Sequence, residues 1–183
     1  MRTIFAFLMV TLDGYHAASD GDLSWHNVDD EFHEFAVAQL DEADTLLFGR
    51  KTYEHMAAFW PTPAAMQLLP ATTERMNGHQ KLVVSRTLTT ADWAPATIIR
   101  DAPAQLDALK QQPGKDIALI GSSDLAASLL GTGLIDELRM MVNPVVLGSG
   151  RPVLAGASQT GLELARTRRF DSGNTLLVYR PGR

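Results

Sequence analysis

Residues Thr3 to Thr11 form an almost unbroken apolar run near the start of the chain, and this feature restricts the fold most. It is too short to span a membrane, and polar residues follow where a small-residue cleavage site would stand. A strand buried on both faces has this pattern, because a parallel sheet covered by helices exposes neither side. Further short apolar runs follow at Thr45–Phe48, Lys81–Ser85, Thr97–Arg100 and Asp116–Ile120. Helical spacing separates them. From Asp29 to Ala43, Phe32, Phe35, Ala36 and Leu40 share one face, and acidic residues crowd the first turn, where the helix dipole favours them. A second helix is expected from Lys51 to before Pro61, another from Pro103 to Gln111, and one carrying Leu125, Ala126, Leu129 and Leu130. The stretch from Pro61 to Gly78 is the least regular, with one short helix expected around Thr72 to Met76. Leu12 to Val28 is polar and rich in turn residues.

Beyond Gly133 the pattern changes. Ile135–Val146, Leu162–Arg169 and Thr175–Arg180 are strand candidates with no helix among them, and Asp171-Ser172-Gly173-Asn174 reads as a hairpin loop. The expected architecture is α/β: a mostly parallel central sheet with helices on both faces, closed by a C-terminal antiparallel hairpin. A length of 183 residues suits one domain spanning 1–183, large enough to hold together without a metal or disulfide staple. The chain has no cysteine, which excludes thiolate metal sites, iron–sulfur clusters and thiol nucleophiles. A net charge of −5 argues against a broad nucleic-acid footprint. No metal is expected, and the cytoplasm is the expected location.

In open α/β sheets, ligands gather at the carboxyl ends of the strands. Three such junctions have unusual composition. Gly49-Arg50-Lys51-Thr52 ends one strand with a glycine, two cations and a hydroxyl at a helix start, which suits an anion. Ser85-Arg86 ends another with a hydroxyl and a guanidinium, a pair able to grip a ribose phosphate. Gly121-Ser122-Ser123-Asp124-Leu125 ends a third, where a glycine and two serines open a helix. Each has a plainer reading, as solvated cations or as helix caps. Neither the Rossmann G-x-G-x-x-G nor the P-loop pattern occurs.

Taken in order, these junctions resemble the cofactor segments of the dihydrofolate-reductase-like superfamily. The stretch from Gly121 through Leu134-Ile135-Asp136-Glu137-Leu138 to Pro144-Val145-Val146-Leu147-Gly148-Ser149-Gly150 is similar to the C-terminal reductase domain of the bifunctional riboflavin enzyme. Leu12-Asp13-Gly14 fits the start of that domain, so the resemblance covers essentially the whole chain. It implies an NADPH-dependent reductase acting on a small pteridine or pyrimidine ring, working as a homodimer. The riboflavin-pathway reduction itself is the alternative, and a nucleotide-binding protein without turnover is the contrasting class. One departure weakens the riboflavin step: Tyr15 stands where those reductases usually carry a lysine. For the proton that accompanies hydride transfer, the resemblance points to a carboxylate near the first helix or first strand, hence Asp13, Asp29 or Asp30. His26 and His33 are weaker candidates.

Overall fold

The computed structural model describes residues 1–182. The chain runs β1 (Ile4–Thr11), β2 (Tyr15–Ala17), α1 (Asp30–Asp41), β3 (Ala43–Gly49), α2 (Arg50–Phe59), α3 (Pro63–Leu68) and α4 (Pro70–Gly78). It continues through β4 (Gln80–Val84), β5 (Ala96–Ile99), α5 (Ala102–Lys110), β6 (Asp116–Ile120), α6 (Ser123–Leu130) and β7 (Glu137–Asn143). β8 (Arg151–Pro152), β9 (Leu162–Arg169) and β10 (Thr175–Pro181) complete it. Eight strands form one sheet in the order β5-β4-β3-β6-β1-β7-β10-β9. Every pairing from β5 to β7 is parallel, and β10 and β9 close that side as an antiparallel hairpin.

The opening apolar run is β1, and its alternation assigns both layers. Ile4, Ala6, Leu8 and Val10 point to one face, where Leu106 of α5 and Ala126, Leu129 and Leu130 of α6 cover them. Phe5 points to the other, against Leu40 of α1, Tyr53 of α2 and Met76 of α4. Phe7 follows on that same face, beside Phe32 and Phe170. Fully burying one such side chain stabilises the fold by about 1.5–3 kcal/mol, so a strand covered on both faces anchors the sheet. A buried cation lies on the α1 face. The Arg139 guanidinium stacks 3.7 Å from the Phe5 ring centre and donates to Glu42 at 2.7 Å and Glu137 at 3.1 Å.

Three elements differ from the sequence expectation. The first helix starts at Asp30 rather than Asp29, because the Asp29 carboxylate accepts from the Phe32 N–H at 2.8 Å and is the N-cap. The irregular stretch holds two helices instead of one. Pro63 and Pro70 each sit at a helix start, where a missing N–H costs nothing, so these prolines begin helices rather than prevent them. The turn-rich segment after β1 contributes a short strand, β2, which pairs with β8 in a separate two-stranded sheet. Strands this short carry no sequence signal. Among the described residues, no helix is long and apolar enough to cross a membrane.

Candidate active site

β1, β3 and β6 are parallel, so their carboxyl ends fall on one edge of the sheet. There a cavity of about 960 Å³ opens between α1, α2, α4, the N-terminus of α6 and the β2–β8 pair. Two helix starts face it. Gly49 is the N-cap of α2 and Ser122 the N-cap of α6, and neither supplies a side-chain cap bond. By contrast α1, α3 and α5 are capped by Asp29, Thr62 and Asp101. First-turn N–H groups left without a cap are available to an anion.

The Ser122 hydroxyl is committed elsewhere. It accepts from the Gly49 N–H at 3.0 Å and so ties the two helix starts together. The Ser123 hydroxyl accepts from the Leu154 N–H at 2.8 Å, holding the segment after β8 against α6. Gly121 turns between β6 and α6 with φ of 65°, a conformation that favours glycine. Arg50, Lys51 and Arg151 add positive charge to this end of the cavity. Phe7, Phe32, Leu40, Met56, Trp60 and Met76 supply apolar wall.

Residues 2–176 match the RibD C-terminal domain. The chain belongs to that family. The uncharacterized protein YyaP of Bacillus subtilis (strain 168) is 33% identical over 181 residues, covering 97% of this chain and 94% of YyaP. RibD of Acinetobacter baumannii has the same fold, with a TM-score of 0.73 at 18% identity over 100% of this chain and 59% of that one. The diaminohydroxyphosphoribosylaminopyrimidine deaminase/5-amino-6-(5-phosphoribosylamino)uracil reductase of Thermotoga maritima also superposes with a TM-score of 0.73. It is 14% identical, over 99% of this chain and 57% of its own. The dihydrofolate-reductase-like architecture expected from the sequence is therefore the observed one.

Within this RibD-type domain the sequence-derived residues divide cleanly. Gly49, Arg50, Lys51, Thr52 and Gly121, Ser122, Ser123, Asp124, Leu125 all line the cavity. Ser85 and Arg86 do not line it. The Ser85 hydroxyl accepts from the Thr87 and Leu88 N–H groups in a local turn, and Arg86 is exposed. They stay close in register, since Val84 pairs with Gly49 across β3 and β4.

The carboxylates are the correction. None of Asp13, Asp29 and Asp30 lines the cavity. Asp13 accepts from the Thr11 hydroxyl at 2.6 Å and from the Leu147 and Gly148 N–H groups, and these bonds, the Thr11 one first, hold its pKa below the usual carboxylate value. Asp29 is occupied as a helix cap, and Asp30 is exposed on the first turn of α1. Asp13 and Asp29 are thus engaged in a turn and a helix cap, roles that short polar side chains commonly fill.

Imidazoles are present instead. His16, His26, His33 and His55 line the cavity, four of the five histidines in the chain. No group of side chains among the described residues is arranged to hold a metal ion. His16 and His55 escaped sequence reasoning, although a signal existed. On a helix starting at Gly49, positions 51, 55 and 59 share one face, which makes His55 a neighbour of Lys51 and Phe59.

His26 is held in place by its chain neighbour. Asn27 donates its N–H to the Asn143 side chain at 2.9 Å and its amide to the Ser172 carbonyl, and its own carbonyl accepts from Asn174. Burial drives the His26 pKa down to about 4, against the pull of Asp22 and with a smaller push from His55. The imidazole is therefore neutral at pH 7. Between pH 6.5 and 4 the unfolded chain takes up a proton here that the folded chain refuses, so stability falls as pH drops through that window. The expected loss is about 3 kcal/mol, at 1.36 kcal/mol per pKa unit. Burial lowers the His16 pKa as well, so it acts in the same direction. Denaturant titrations of native chain and His26→Asn across pH 4–7 check this. The variant should lose most of the slope, and parallel slopes would show that His26 is not the group responsible.

Proposed function

We propose that this chain is an NADPH-dependent oxidoreductase that reduces a small conjugated ring. The observation that carries this reading is the pair of uncapped helix starts, Gly49–Thr52 and Gly121–Leu125, joined by the Ser122–Gly49 bond and facing one cavity. Membership of the RibD C-terminal domain family supports it. The residues fit a dinucleotide. Its pyrophosphate suits the two helix starts, where glycines let the ligand approach the backbone. A 2′-phosphate suits the cationic edge formed by Arg50, Lys51 and Arg86, which leave neighbouring strands side by side. NADPH, when bound, supplies a hydride. The chain supplies apolar walls that exclude water, together with the His26 imidazole, which is neutral at pH 7 and lines the cavity as a hydrogen-bonding group for the ring.

A pteridine or pyrimidine remains the expected ring type on family resemblance, with the riboflavin-pathway reduction as a second reading. Tyr15 bears on the latter. Its side chain packs on Gly150, so this position offers the cavity no cation.

Replacing Arg86 by alanine should weaken NADPH by about 1.5–3 kcal/mol, as expected for one lost charge-assisted hydrogen bond, and leave NADH unchanged. Equal losses for both cofactors would remove Arg86 from the site. We also propose that the protein works in the cytoplasm as a homodimer. All eight residues of β9 are exposed, and this long edge strand offers a sheet edge for a second copy to cover. Sedimentation at micromolar concentration should give a species of twice the chain mass, and a monomer would contradict it.

A further inference from the structure

The β2–β8 pair brings an imidazole and a guanidinium to the cavity wall, His16 and Arg151. The strands run antiparallel, with Arg151 opposite Ala17, the residue after His16. The Arg151 guanidinium rests against the turn at Gly21, where a Cβ would stand 3.5 Å from Nη2. Gly21 has φ of 92° and donates its N–H to the Ala18 carbonyl at 2.9 Å. The pair is fastened to the first turn of α6. Val153 donates its N–H to the Gly14 carbonyl at 2.9 Å, and Leu154 donates to the Ser123 hydroxyl at 2.8 Å. Asp124 follows Ser123, and its carboxylate and Arg151 are the two charges that act on His16. Among the described residues, none of His16, Asp124 and Arg151 forms an ion pair.

Burial holds the His16 pKa below its ordinary value, with Asp124 pulling it up and Arg151 adding a smaller push down. The imidazole is therefore neutral at pH 7, and the charges of Asp124 and Arg151 cancel. A diphosphate at the start of α6 brings two negative charges, which this neutral edge does not match. Protonating His16 supplies a positive charge at the point of need. An anion beside an imidazole offsets the burial penalty and favours the charged form about tenfold or more. Other groups in the cavity that titrate or carry charge come from different elements. Arg50, Lys51 and His55 belong to α2, His33 to α1 and His26 to the loop after β2. His26, with its pKa driven to about 4, stays neutral throughout the range where His16 responds.

We propose that His16 and Arg151 form an anion-binding edge for the diphosphate of a nucleotide, and that binding there adds a proton to His16. The assignment rests on reading the cavity as a dinucleotide site. It gives the site a pH dependence that the two helix starts alone would not have, because backbone N–H groups do not titrate in this range. The nucleotide binds more tightly as pH falls from 8 to 6, since the bound state holds a proton that the free chain lacks.

Calorimetric titration with NADP⁺ at pH 6.5, in two buffers of different ionisation enthalpy, counts the protons taken up on binding. The native chain should take up about half a proton or more per nucleotide. His16→Asn should abolish that uptake, and His55→Asn should keep it. Between pH 8 and pH 6, affinity should rise about fivefold more for the native chain than for His16→Asn, a comparison in which titration of the ligand's own phosphate cancels. Arg151→Gln should weaken NADP⁺ about tenfold at both pH values. Uptake that persists in His16→Asn, or NADP⁺ binding without uptake, would overturn the proposal. The same titrations with inorganic pyrophosphate separate this claim from the dinucleotide reading. Pyrophosphate binding with His16-dependent uptake, while NADP⁺ fails to bind, would leave the anion edge standing and remove the dinucleotide. Failure of both probes to bind would remove the edge itself.

Discussion

Gly121→Val should reduce NADPH affinity a hundredfold or more while the chain stays folded. Gly121 has φ of 65°, which costs a side-chain-bearing residue about 1–2 kcal/mol and a β-branched one most. A native domain with several kcal/mol in hand survives that. The larger effect is on the site. A Cβ at this position would lie 3.5 Å from Thr52 Cγ2, so the valine methyl groups would occupy the gap between the two helix starts. A pyrophosphate can approach both sets of N–H groups only if that gap is open. Losing several charge-assisted hydrogen bonds exceeds the roughly 2.7 kcal/mol that a hundredfold change represents. Gly121→Asn is the control, since asparagine tolerates positive φ and isolates the steric effect from the backbone one. Thermal unfolding establishes that the valine variant folds, and fluorescence titration measures its affinity. NADPH binding within threefold of native would mean that the phosphates do not lie here.

Gly150→Ala should destabilise the protein by about 2–3 kcal/mol, although it adds one methyl group. A Cβ on Gly150 would stand 2.5 Å from the Ala17 carbonyl oxygen and 3.2 Å from the Tyr15 ring. Backbone cannot swing aside as a long side chain can, so β8 must separate from β2. That pair is too short to absorb the displacement, having only Tyr15–Pro152 and Ala17–Arg151 in register. The consequence reaches the cavity, because β2 carries His16 and β8 carries Arg151. For a chain of this size the melting temperature should fall by roughly 5–10 °C, with weaker NADPH binding. Gly161→Ala is the comparison, because no atom lies within 4 Å of the added carbon. Its stability should stay within about 0.5 kcal/mol of native. Equal melting temperatures for the two variants would show that β2 and β8 do not pack as described.

Much of this fold can be read from the chain because local and global preferences agree. β1 is apolar on both faces and buried on both, and one glycine ends β3 while another follows β6, where the chain turns into a helix. Two of the three strand-end junctions, Gly49–Thr52 and Gly121–Leu125, were legible as cavity lining for the same reason: glycine beside hydroxyls or cations at a strand end is chemically distinctive. The carboxylates were not. Asp29 as an N-cap and Asp29 as a proton donor look identical in sequence, since both place a carboxylate before a helix. The cavity wall was hidden for a different reason. It joins His16, His26, His33 and His55 from β2, the loop after it, α1 and α2, and no spacing rule relates residues brought together only by the fold.

The central claim is that the joined helix starts hold NADPH. Calorimetric titration of the native chain with NADPH and NADH in physiological salt tests it most directly. The account predicts one site per chain, with NADPH bound at least tenfold more tightly than NADH, as one additional charge-assisted phosphate contact would give. No heat of binding for either nucleotide, or equal affinity for both, would contradict it.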